Sequence, residues 1–211
     1  MNMAAIPVFA QDQATVVKEV QNGQYGVANF CIANTVVQIP FVFLIAVCCC
    51  SPVYFITDMN DDPIRYLQFV LAMFLMLVAA ESIAQSVGVV IKNFALGIAV
   101  YVSIFSTFFL FNGFYITPSN IPRFLVWIYW ISPMRYCCEM MAKIVFDGQT
   151  YAGSEDCLTC FGGTGEQVLT SLSVGGTNLN DISILRYCGI LVALTAFWRV
   201  VHYLLLRRSM S

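Results

Sequence analysis

Residues Phe111–Glu139 read FNGFYITPSNIPRFLVWIYWISPMRYCCE, and this stretch decides the fold. A long apolar run, Phe94 to Ile116, passes through Gly113 into a turn marked by Pro118. The apolar segment that follows, Ile121 to Ile131, is too short to cross a bilayer, which takes about 20 residues. It carries Trp127, Tyr129 and Trp130, aromatics suited to a membrane interface. Pro133 then opens a second short segment, because its missing N–H has no partner in a first helical turn. The pattern predicts two short helices, Ile121–Ile131 and Pro133–Val145, in an interfacial or re-entrant position.

Composition points the same way. The chain is 59% hydrophobic and 10% charged, with mean hydropathy +0.77. A soluble domain carries about 25% charged residues, so lipid is the expected solvent. A net charge of −2 argues against a nucleic-acid partner. Nine cysteines suggest a disulfide scaffold only in a short secreted chain. Here Cys48, Cys49, Cys50 and Cys188 sit inside apolar runs and read as small buried hydrophobes.

Four apolar segments are read as spans: Ile39–Ile56, Tyr66–Val90, Phe94–Ile116 and Leu185–Leu206. The expected fold is an all-α polytopic membrane protein, with four transmembrane helices, a re-entrant pair and an N-terminal interfacial helix. Its parts are 1–38 (interfacial), 39–116 (three spans), 117–184 (re-entrant helices and external loop) and 185–211 (last span and basic tail). Pro40 and Pro52 mark the first turn and a kink of the first span. No basic region precedes an apolar core at the N-terminus, so no signal peptide is read there. Lys92 in the short 91–93 turn and Arg207-Arg208 place both termini in the cytoplasm by the positive-inside rule. The membrane itself is not specified.

The segments, taken in order, resemble the membrane domain of ATP-binding-cassette transporters of the G subfamily, the White and pleiotropic-drug-resistance type. The resemblance rests on Lys18-Glu19 through Tyr25-Gly26-Val27, Phe30 to Pro40, Val53-Tyr54-Phe55, Glu81-Ser82, Asn93-Phe94, the opening stretch, Gly165 to Leu169, and Trp198 to Leu204. It covers about residues 15–211. No phosphate loop, G-x-x-x-x-G-K-[ST], occurs in the chain. The resemblance implies the C-terminal two-thirds of a membrane domain, as a fragment, a truncated gene model or a degenerate copy. It has no catalytic residue and no cofactor of its own. ATP and Mg would belong to a nucleotide-binding domain, and the parent transporter would be an ATPase. Its partners would be a second half-transporter (homo- or heterodimer), that nucleotide-binding domain, membrane lipid and a lipid-like or amphipathic small molecule.

The same resemblance assigns roles to particular residues. Lys18, Glu19 and Tyr25 would lie in a coupling helix touching the nucleotide-binding domain. Ala99, Val102, Ser103, Ser106 and Phe109 would line a substrate cavity, against the alternative of ordinary close helix packing. Phe114 and Tyr115 would form a plug between a central and an outer cavity, against an interfacial aromatic anchor.

Other polar positions are read from the residues alone. Glu81, a carboxylate within a span, must face protein or water. It is read as a buried polar contact, with Gln85 one turn away, in preference to a substrate or proton site. Arg199 is expected to snorkel to the headgroups, and His202 offers no metal site. Cys157 and Cys160 lack the further ligands zinc needs and are disulfide candidates in an external loop. The rival architecture is a tetraspanin-like organiser with four spans and a cysteine-bearing loop. It expects Cys-Cys-Gly in that loop, whereas Cys137-Cys138 is followed by Glu139. A channel would want polar rings along a pore helix, and Glu81 alone offers one.

Overall fold

The computed structural model describes residues 19, 22, 25–57, 62–91, 93–113, 121–148, 169 and 183–210. Among them the regular structure is entirely helical: α1 (Val27–Ile56), α2 (Pro63–Val90), α3 (Phe94–Leu110), α4 (Val126–Ile131), α5 (Pro133–Phe146) and α6 (Ile184–Met210). Three of these, α1, α2 and α6, are long and apolar enough to cross a membrane. The chain is therefore an integral membrane protein by its apolar helices.

α1 departs from the expected boundary. It has 30 residues and starts at Val27, directly after extended Gly26, not at Ile39. Pro40 and Pro52 both lie inside it. Each removes one intrahelical bond, a loss membrane helices tolerate because neighbouring helices, hydroxyl side chains or local backbone adjustment re-satisfy the freed carbonyl. At 1.5 Å per residue α1 is about 45 Å long, beyond the roughly 30 Å of hydrocarbon. Most of the segment expected to lie apart at the interface is thus either the first turns of α1 or outside the described residues.

α2 begins with Pro63 at its first turn, behind extended Asp62. It packs against α6, α1, α5 and α3, and Glu81 to Val89 are all buried. The near end of the bundle, where α1 starts and α6 finishes, is closed by Val89 and Leu206 packed with Val27 and Phe30. Towards the far end Cys50, Tyr54, Phe69, Met140, Tyr187 and Leu191 form the larger core. Leu169, from the long segment before α6, is fully buried in that core.

α3 is capped by Asn93, whose side-chain Oδ1 accepts from the Ala95 N–H at 3.2 Å. It has 17 residues, about 25 Å at helical rise, shorter than the span Phe94–Ile116 read from sequence. Phe111 ends it, and Gly113 follows with φ +88°, a conformation that favours glycine. The two short helices α4 and α5 are separated at Ser132, and Pro133 occupies the first turn of α5. α4 starts at Val126, later than the Ile121 read from sequence. Residues 122–125 form a turn instead, with the Leu125 N–H donating to the Pro122 carbonyl at 2.8 Å.

Arg65 ties the far ends together. Its Nη1 donates to the Asp147 carbonyl at 2.5 Å and, more weakly, to the Ile144 carbonyl at 3.4 Å. These are orphan carbonyls of the last turn of α5, which a cation there also favours electrostatically.

Candidate functional surface and the polar interior

α3 has two unlike faces. Gly97, Tyr101 and Phe108 are buried, with Ile98, Ile104 and Phe105 packed beside them against α2 and α4. The opposite face carries Leu96, Ala99, Ser103, Ser106 and Leu110, at spacings of three and four, all exposed. Phe109 is 40% exposed and Val102 is half-buried. Of the five expected lining residues, Ala99, Ser103, Ser106 and Phe109 therefore sit on uncovered surface, and Val102 sits at its border. Ser103 and Thr107 donate their hydroxyls back to the carbonyls of Ala99 and Ser103 at 2.8 Å. Between Leu96 and Leu110 the exposed face is thus small and weakly polar at Ala99, Ser103 and Ser106. Phe114 and Tyr115 lie outside the described residues, as do Lys18, Cys157 and Cys160. The seven cysteines within the described residues are free thiols.

Near the start of α1, the Tyr25 hydroxyl donates to Glu19 Oε2 at 2.5 Å, and its ring stacks on Phe30 at 6.4 Å. The bond to the Glu19 carboxylate pushes the Tyr25 phenol above its ordinary range.

The interior holds a polar network that crosses three helices. Gln85 of α2 is its hub. Its Nε2 donates to Gln38 Oε1 of α1 at 2.7 Å and weakly to Glu81 Oε1 at 3.5 Å. Its Oε1 accepts from Arg199 Nη1 of α6 at 2.7 Å. The gap bounded by Thr35, Gln38, Val78, Glu81 and Arg199 has no room for a water-sized molecule. Glu81 thus faces protein. Arg199 does not snorkel to the membrane surface but turns inward, because the Gln85 amide presents an acceptor beside it. Ser86 adds a long contact to the Trp198 carbonyl at 3.5 Å. Gln38 is a participant that sequence reading did not single out. The signal was a lone amide in the apolar run IANTVVQIPFVF.

A second buried charge went unread. Arg135 is 2% exposed, and its Nε donates to Glu139 Oε1 at 2.7 Å. Its guanidinium carbon lies 3.9 Å from the Tyr129 ring centroid and 4.6 Å from that of Trp130. The i, i+4 spacing of Arg135 and Glu139 was the available signal.

Residues 1–146 match the model of the ABC-2 type transporter family, and the chain belongs to that family. It is similar to ABC transporter G family member 5 of Arabidopsis thaliana, 31% identical over 64% of this chain and 21% of that protein. It is also similar to ABC transporter G family member 23 of Arabidopsis thaliana, 27% identical over 98% of this chain and 32% of that protein. ABC transporter G family member STR2 of Medicago truncatula is 25% identical over 96% of this chain and 27% of that protein. The chain thus spans between a fifth and a third of the length of these relatives. They bear out the G-subfamily resemblance read from the residues.

Proposed function

We propose that this chain is the substrate-contacting part of a G-subfamily transporter, which moves a lipid-like or amphipathic small molecule across a membrane as a dimer of membrane domains. ATP and Mg would act on a nucleotide-binding domain of the parent transporter, whose ATPase cycle drives the motion. The observation that carries the reading is the uncovered face of α3. An isolated bundle would bury such a face or leave it to lipid without preference. A path shared between two membrane domains requires each half to leave its lining uncovered, with small residues beside an aromatic to admit a flat apolar molecule.

On this reading α3, extended past Gly113, is the third of four spans. α4 and α5 are the re-entrant pair, and Phe114-Tyr115 gate the path. Both termini are cytoplasmic, Glu19 and Tyr25 face the nucleotide-binding domain together with Lys18, and Cys157 and Cys160 form disulfides outside.

The test uses the assembled transporter. Replacing Phe114 and Tyr115 by Ala alters transport while ATP binding and delivery to the membrane stay intact, because the change removes aromatic bulk and no buried polar partner. Ser106→Trp blocks transport by filling the path. Unaltered transport in both variants, with the protein in the membrane, overturns the assignment of this surface.

A further inference from the structure

We infer that Arg135 is the positioning residue of α3: it locks the α4–α5 corner into the shape that clasps the far end of that helix. The inference rests on the transport reading only for its consequence, since the clasp itself is a matter of geometry.

α3 packs against α2 and α5 but leaves a whole face uncovered, so few contacts fix it. Its far end is held by the corner between α4 and α5 at three points. The Ser132 hydroxyl donates to the Phe108 carbonyl at 3.3 Å, satisfying one of the last-turn carbonyls of α3. Asn112 Nδ2 reaches Cys138 Sγ at 3.9 Å. The Tyr129 ring lies so close to Gly113 that a Cβ there would sit 3.2 Å from Cε2. Residues 108, 112 and 113 are thus each met by a residue of α4, α5 or the break between them.

The shape of that corner depends on Arg135. Its planar guanidinium lies over Tyr129 at 3.9 Å, over Trp130 at 4.6 Å and by Tyr136 at 5.1 Å. Its Nε–H is fixed by Glu139. Tyr136 in turn donates to the Trp130 carbonyl at 2.9 Å, across the break. Arg135 Nη1 has no hydrogen-bond acceptor among the described residues, so ring faces supply its polar surroundings. A lysine keeps the charge but has no plane to stack on the rings while bonding in-plane to a carboxylate. The arrangement therefore specifies arginine, and through Tyr129 it specifies where Gly113 lies.

Amide hydrogen exchange on the full chain in lipid nanodiscs tests this. Arg135→Lys speeds exchange at residues 108–113 by about tenfold or more, the scale set by losing a desolvated cation–ring contact. Exchange within α1, α2 and α6 stays as in the wild type. Tyr129→Leu, which removes the ring face, reproduces the Arg135→Lys pattern. Unchanged exchange at 108–113, or equal acceleration in every helix, overturns the inference. If Arg135→Lys fails to insert, Tyr129→Leu decides, since it leaves the Arg135–Glu139 bond in place. In the assembled transporter Arg135→Lys raises the apparent substrate KM more than it lowers the ATPase rate. An exchange effect without that KM change would sink the transport reading and leave the clasp standing.

Discussion

Two residues, buried Gln85 and half-buried Gly113, show opposite kinds of demand on a side chain. Gln85 uses both ends of its amide, donating to Gln38 and accepting from Arg199. Gln85→Leu keeps the volume and strands Arg199 beside a methyl group. A polar bond between membrane helices contributes about 0.6 kcal/mol on average, up to about 1.7. A hydrogen bond from a charged group such as Arg199 contributes more, about 1.5–3 kcal/mol. The expected outcome is a clear fall in the thermal unfolding midpoint in nanodiscs. Adding Arg199→Met to Gln85→Leu recovers part of it, and a double-mutant cycle reads the coupling. At Gly113 the demand is steric. Gly113→Ala places a Cβ 3.2 Å from Tyr129 at a φ of +88°, and the strain costs about 1–3 kcal/mol. The same unfolding assay measures it, and Gly26→Ala, with open space around it, serves as the quiet control.

The elements differ in how they are held. α5 is anchored at both ends, by the Ser132-Pro133 break at its start and by Arg65 on its last carbonyls. Arg65→Ala removes the cap while leaving α2 its Pro63 start, so the last turn of α5 loosens by about 0.3–1 kcal/mol. Amide exchange at residues 144–148 rises several-fold, and exchange at 133–138 does not. Equal change along the whole helix would mean that Arg65 holds α5 against α2 and does not act as a cap. α1 makes the contrary case. Its two prolines invite an interruption on sequence grounds, yet the helix runs from Val27 to Ile56 with both inside it. In lipid the backbone has no water to turn to, so the remaining intrahelical bonds persist and local adjustment re-satisfies the freed carbonyls.

For the whole molecule the testable quantity is sidedness. Arg207 and Arg208 lie at the near end of the bundle, Lys92 comes between α2 and α3 in the sequence, and Cys157 and Cys160 come between α5 and α6. If the near end is cytoplasmic, an impermeant thiol reagent labels reduced Cys157 and Cys160 in intact cells. Labelling only after permeabilisation would reverse the topology. The background is manageable, because variants lacking Cys157 and Cys160 define it directly.

Hydrophobic runs, proline positions and the order of short motifs were legible in the chain itself. They yielded an all-helical membrane protein, the break at Ser132-Pro133, the family, and Ala99, Ser103, Ser106 and Phe109 as one helix surface. These follow from one-dimensional facts: a span needs length and apolarity, and proline acts on its own neighbours. The partners of the buried polar residues needed the tertiary structure. Nothing along the chain tells Arg199 to turn toward Gln85, or ties Gln85 to Gln38 47 residues away. An isolated membrane helix would send an arginine to the headgroups, and only the neighbouring helix offers it a nearer acceptor. The same holds for Arg135, whose spacing to Glu139 is visible in the chain but whose ring contacts depend on the extended break at Ser132. Local pattern determined which helices form, and the packing of helices against one another decided which polar groups meet.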